Sequence, residues 1–271
     1  MIQIDTLISH RFRGFSKQEN TLDGLRGALD FGVKHIEFDI RVARCGTPMI
    51  YHDEHATDKN GKSHFIKDVM ARDFKTLGGR FADMPSADAL FAAINTHKHK
   101  DVRLWVDIKD AGFETEIHAL ICANTLQDRV IYVSWVAECL YAMHALTPKT
   151  PLCFSHWCQN PDTHTRTIHK VYKAKKGHVA YNPRKHVHGE RSGWFVDGPV
   201  SGKLREILRK TKGAICVPAN MVTADLVKNY QKDKIGVSTF SYTDMSVINH
   251  HKDAFNVDLY MIDNKTVFEA L

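Results

Sequence analysis

The chain has 271 residues, 43% of them hydrophobic and 25% charged, with a formal net charge of +6. This is ordinary globular composition without a low-complexity tract or a Pro/Gly/Ser-rich linker, and it fits one domain spanning residues 1–271. The mild positive balance suits an anionic ligand, and without an RNA-binding or zinc-finger signature it gives no reason to expect nucleic acid.

No run approaches the ~18 consecutive apolar residues of a membrane span. Met1-Ile2-Gln3-Ile4-Asp5 also lacks the basic start and apolar core of an export signal. The expectation is a soluble cytoplasmic protein with no stable membrane insertion. Six cysteines, at 45, 122, 139, 153, 158 and 216, form no Cys-x-x-Cys pair and read as reduced thiols.

In chain order, Thr6–Ser9 is a short apolar run that emerges at His10-Arg11, and so reads as a first buried strand. A loop over 12–20 follows. Thr21 then opens a helix with Leu22, Leu25, Ala28 and Leu29 at helical spacing, and Gly32 closes it. His35–Val42 is a strand on which Glu37 and Asp39 share a face, because side chains alternate along a strand. Two carboxylates so placed repel each other unless a cation or a proton lies between them, which suggests a site of hard oxygen ligands. Two solvated acids on an edge strand are the plain alternative.

The turn 45–48 leads to Met49-Ile50-Tyr51, a hairpin extension or separate strand ending in His52-Asp53. The stretch 54–63 reads as a polar loop, and 66–77 and 86–97 as two helices. Arg103–Lys109 is a strong strand ending in Asp107-Ile108-Lys109, again with both charges on one face. Helices are predicted over 114–123, 137–146, 163–172, 201–211, 223–231 and 245–251, and strands over 130–135, 151–155, 214–217, 235–242 and 257–262. The region 177–200 reads as a long irregular loop that could cover a site, with Trp194 and Phe195 as candidate cleft residues.

Eight or nine strands alternating with helices point to an α/β fold, and at this length to a (β/α)8 TIM barrel. Active sites of such barrels sit at the C-terminal strand ends. His10-Arg11, Glu37/Asp39, His52-Asp53 and Asp107/Lys109 all fall at those ends. The same-face set His186, His188 and Glu190, along with His55, His250 and His251, reads as solvated, as do the basic clusters 173–176 and 184–185. Trp135 and Trp157 read as packing residues.

The ordered set His10-Arg11, Gln18-Glu19-Asn20-Thr21, Gly32, Glu37-Phe38-Asp39-Ile40, Gly46–Asp53 and Asp107-Ile108-Lys109 resembles the glycerophosphodiester phosphodiesterase (GDPD) family. The match is dense over residues 7–53 and weak past 110, where only Val257–Asp263 is similar to the family's last strand. Three positions depart from the family pattern. Phe12 stands where the family has Gly after His-Arg, Gln18 stands for Pro, and Asp107 stands for a glutamate.

The resemblance implies Mg²⁺ or Ca²⁺ held by Glu37, Asp39 and Asp107, with hard oxygen ligands agreeing. It implies His10 and His52 as the acid–base pair, and Arg11 (or Arg13) with Lys109 on the phosphate of a small glycerophosphodiester. Glu19 could cap the helix or brace Arg11, and Asp53 could orient a neighbour. Two other readings keep the barrel: a phospholipase-D-like enzyme on lysophospholipids, and a catalytically silent phosphate-ester-binding protein.

Overall fold

The structure, a computed structural model, describes residues 2–155, 200–219 and 222–271. Eight parallel strands close into a barrel, so the fold is the expected (β/α)8 barrel. The predicted helix 163–172, the region 177–200, the set His186, His188 and Glu190, Trp157, Trp194, Phe195 and the two basic clusters lie outside the described residues.

The chain divides into two compact units, one of them Gln3–Val130 with Ile262–Leu271. In this unit β1 (Leu7–His10) is wholly buried. Helix α1 (Leu22–Phe31) begins where Thr21 Oγ1 accepts the Gly24 N–H, and stops at Gly32, whose φ of 90° is left-handed. Strand β2 (His35–Val42) pairs in parallel with β1 and antiparallel with β3 (Pro48–Ile50), so the expected hairpin extension is present. The outer face of β2 packs Phe38 against Phe12 and Phe91, at ring separations of 6.2 and 6.1 Å. That leaves Glu37, Asp39 and Arg41 on its other face.

Two expectations for the next stretch are corrected. The polar loop 54–63 contains a small hairpin, β4 (His55–Thr57) with β5 (Ser63–Phe65). Its turn is organised by Asp58, whose Oδ1 accepts the N–H groups of Asn60 and Lys62 and whose Oδ2 faces His64 Nε2. The helix over 66–77 is broken into two 3₁₀ turns and a four-residue helix, α2 (Phe74–Leu77). Val69 and Met70 are extended there because a partner elsewhere in the fold, Arg44 N–H, takes the Val69 carbonyl at 2.9 Å. Ile66, Phe74 and Phe81 bury themselves in a satellite core with Tyr51 and Met84. Helix α3 (Ala87–Thr96), capped by Ser86, strand β6 (Arg103–Ile108) and helix α4 (Glu114–Ala123) follow as expected.

The other unit is Met1–Ile2 with Ile131–Met261. It carries β7 (Val130–Ser134, from its second residue), α5 (Ala137–Leu146), β8 (Leu152–Ser155), α6 (Gly202–Lys210), β9 (Ala214–Pro218), α7 (Ala224–Gln231), β10 (Gly236–Tyr242) and α8 (Met245–Phe255). Helix α8 runs four residues past its expected end, to a left-handed Asn256 at φ 56°. The first three residues of strand β11 (Leu259–Ile262) close this unit, and Ile262, Asp263 and α9 (Lys265–Glu269) belong to the first. Among the described residues, no helix is long and apolar enough to cross a membrane.

Candidate active site

The site begins with strand register. Parallel pairing sets His10 of β1 beside Glu37 of β2, and Asp39 beside Asp107 of β6. One carboxylate oxygen from each of Glu37, Asp39 and Asp107 lies within 4.8 Å of the others, and all three residues are buried. A hard divalent cation can bridge that spread, since oxygens on opposite sides of Ca²⁺ stand about 4.6–5.2 Å apart.

Three buried acids at this spacing need compensation, because like charges about 4 Å apart repel by about 4 kcal/mol even in a partly screened interior. Lys109 Nζ supplies part of it, 2.5 Å from Asp107 Oδ2 and 3.0 Å from Asp39 Oδ1. Arg11 Nε stands 3.2 Å from Asp39 Oδ2, and Asn20 Nδ2 donates to the same oxygen at 2.9 Å. Asp107 Oδ1 is nevertheless buried with no hydrogen-bond donor. That donor-poor oxygen set fits a cation.

The titrations divide accordingly. Burial, then the neighbouring Asp39, raises the Glu37 carboxyl well above its usual range. Burial acts on Asp39 in the same direction, but Lys109 and Arg11 outweigh it and hold Asp39 well below. Burial alone would lower Lys109, yet Asp107 and Asp39 raise it.

His10 Nδ1 lies 2.6 Å from Asp263 Oδ1. An ionised carboxylate only accepts, so the ring proton belongs on Nδ1, and Nε2 turns its lone pair toward the rim, 3.8 Å from Glu37 Oε2. Burial and then the Arg11 charge lower His10 to a pKa of about 4, so it is neutral at neutral pH. The loop after β1 is tight. Arg11 and Phe12 have φ of 56° and 59°, and the Arg11 N–H reaches both the carbonyl and the carboxylate of Glu37, at 3.0 and 3.2 Å.

The geometry separates the two arginines. Arg11 lies against the acid triad, whereas Arg13 bridges Glu19 and Asp263, at 2.6 Å each. Glu19 braces both arginines, with Arg11 Nη1 at 3.4 Å, and Thr21 rather than Glu19 caps α1. His52 lies just beyond β3 with its side chain 32% exposed, and its Nδ1 is 2.8 Å from Asp53 Oδ1. Asp39 and Lys109 both act on its charge, although burial has the largest effect and lowers its pKa.

Four residues beside this set went unassigned in the sequence reading: Asp263, Asn20, Arg41 and Asp110. Arg41 continues the Glu37/Asp39 alternation, which was a visible signal. The other three depend on contacts between distant segments.

A family model for the glycerophosphoryl diester phosphodiesterase family matches residues 9–189, extending well past the dense part of the motif. A curated glycerophosphodiester phosphodiesterase from Caldanaerobacter subterraneus subsp. tengcongensis is 24% identical over 165 residues, covering 56% of this chain and 67% of the relative. Among solved structures, a glycerophosphodiester phosphodiesterase from Parabacteroides distasonis superposes with a TM-score of 0.68 at 16% identity, over 98% of this chain and 95% of that one. A phosphodiesterase from Oleispira antarctica, solved with the product sn-glycerol-3-phosphate, gives 0.67 at 17% identity, over 98% and 96%. At such identities the structural likeness speaks for the fold.

Proposed function

The chain belongs to the glycerophosphoryl diester phosphodiesterase family, and from that premise we propose that it hydrolyses small glycerophosphodiesters to glycerol 3-phosphate and an alcohol, with a divalent cation bound. One observation carries the reading: three buried carboxylates from two adjacent strands converge beside His10 and Arg11. The curated relative bears this activity in its name, and the product bound in the Oleispira structure is the one expected here.

Glu37, Asp39 and Asp107 would hold Mg²⁺ or Ca²⁺, which when bound neutralises phosphate charge and polarises a phosphoryl oxygen. Arg11 and Lys109 contact the remaining phosphate oxygens and stabilise charge that builds there. His10, neutral with its Nε2 lone pair toward the rim, removes the proton from the substrate's glycerol 2-hydroxyl. That oxygen bonds to phosphorus, the bond to the alcohol breaks, and His52 gives its proton to the leaving alkoxide. Water then opens the cyclic phosphate with the two imidazoles in exchanged roles. The net reaction is diester plus water to monoester plus alcohol. Glu19 and Asp53 act indirectly, through the arginines and His52.

The test is a substrate panel of glycerophosphodiesters and lysophosphatidylcholine, assayed with EDTA, Mg²⁺, Ca²⁺ and Mn²⁺, for wild type and for His10→Ala and His52→Ala. Cation-dependent release of glycerol 3-phosphate, reduced by at least about 100-fold in both variants, is expected. Turnover of lysophosphatidylcholine alone would favour the phospholipase-D-like reading, and near-wild-type activity in either variant would remove the two-histidine mechanism.

A further inference from the structure

Arg41 is an arginine only 6% exposed, at the edge of the acid site yet touching none of the three carboxylates at ion-pair distance. A buried guanidinium is costly unless its donors are matched, so its partners indicate what it is for. Nη1 lies 2.6 Å from Asp110 Oδ1, and Nε donates to the backbone carbonyl of His52 at 3.0 Å. The other Asp110 oxygen accepts the Val42 N–H at 2.8 Å, which anchors the carboxylate to the end of β2. One ion pair therefore ties the ends of β2 and β6 to the turn that carries His52.

The imidazole of His52 needs such an anchor. Its side-chain partner Asp53 is 64% exposed, and exposed ion pairs are worth about 0–1 kcal/mol. The backbone is held far better. Tyr51 N–H donates to the Asp39 carbonyl at 3.0 Å, and the next residue's carbonyl is held by Arg41. Two consecutive backbone clamps, one of them running through Asp110, fix the direction in which the His52 side chain leaves the turn. We infer that Arg41, locked by Asp110, is a positioning residue that sets the catalytic placement of His52. This rests on the acid–base reading above. A displacement of about 1 Å can cost about 100-fold in rate.

A double-mutant cycle on turnover tests it, using full-length protein with the cation that supports activity and glycerophosphocholine as substrate. Arg41→Gln and Asp110→Asn are each made alone and in a His52→Ala background, with single-turnover kinetics where rates are low. In the otherwise wild-type protein, kcat is expected to fall about 10- to 100-fold with KM within about twofold. Arg41→Lys, which can satisfy one of the two partners, should recover part of the loss. In the His52→Ala background the same changes should alter kcat by less than about twofold, because the residue they act through is gone.

Equal factors in both backgrounds, or unchanged kcat in Arg41→Gln, would overturn the proposal. If Arg41→Gln fails to fold, Asp110→Asn decides by the same criterion, since it keeps an acceptor for Val42 N–H. Wild-type turnover in His52→Ala would instead sink the acid–base reading itself, and the inference with it. A slow His52→Ala with an additive cycle removes only the positioning role.

Discussion

His10 Nδ1 and Asp263 Oδ1 meet at 2.6 Å across a sequence separation of 253 residues. The contact fixes both the ring's tautomer and its plane, and Asp263 is itself steadied by Arg13 at 2.6 Å. Two segments that share no local pattern thus decide which nitrogen of His10 faces the acid triad.

Asp263→Asn keeps the shape of this contact but lets an amide donate where a carboxylate could only accept. The variant should fall about 10- to 100-fold in kcat, part of what a positioned base supplies, with KM little changed. Steady-state kinetics at several pH values check this. Unchanged kcat would show that the ring is oriented without Asp263.

The acid triad should make stability depend on cations. Mg²⁺ or Ca²⁺ at about 100 times its Kd should stabilise the fold by about 2.7 kcal/mol, seen as a raised Tm. Asp39→Asn and Glu37→Gln should abolish that rise without any assay of activity. Because burial and then Asp39 raise the Glu37 carboxyl well above its usual range, a cation competes there with a proton, so its binding should release protons and weaken as pH falls. Calorimetry in buffers of different ionisation enthalpy measures the release, and a buffer-independent heat would contradict it.

His35, at the start of β2, accepts a hydrogen bond from Trp105 Nε1 at 3.1 Å. Burial, then the Arg103 charge, lowers its pKa from 6.5 to about 4. The unfolded chain therefore binds the proton first as pH falls. The stabilising contribution is complete above pH 6.5, is lost progressively toward pH 4, and is gone below it. Urea titrations of wild type and His35→Asn, which retains an acceptor for Trp105, should differ in slope across that window and run parallel above it.

Phe12 accounts for one departure from the family motif. Its φ of 59° is left-handed, a conformation glycine adopts freely and phenylalanine at a cost of about 1–2 kcal/mol. The ring is fully buried and packs 6.2 Å from Phe38. Losing such a ring costs about 3–5 kcal/mol, so packing outweighs strain. Phe12→Gly should destabilise by about 1–4 kcal/mol despite matching the family pattern. A denaturation midpoint equal to or above wild type would reverse that ordering.

Local chemistry made much of the barrel legible. Thr21, Ser86 and Gly32 mark helix ends by their own hydrogen-bonding and backbone preferences, and the structure uses each that way. Glu37, Asp39, Asp107 and Lys109 were found because a strand's twofold alternation puts them on one face. The helix over 66–77 misled because its apolar spacing is truly helical. What broke it was Arg44 binding the Val69 carbonyl, a contact between segments that no window of sequence contains. The hairpin at 55–65 was missed because its strands are three residues each and its turn is built by one carboxylate, Asp58. Asp263 and Asp110 were invisible as partners for the same reason as Arg44: their value lies in what they meet.

The late position of Asp263 has a consequence for synthesis. A nascent chain carries His10 from the start, but its partner leaves the ribosome only after residue 263 is translated and cleared from the exit tunnel. Until then the imidazole lacks this contact, and a stalled or clipped product ending before residue 263 should turn over no faster than Asp263→Asn. Full competence thereby waits on a residue made 253 positions after the histidine it serves.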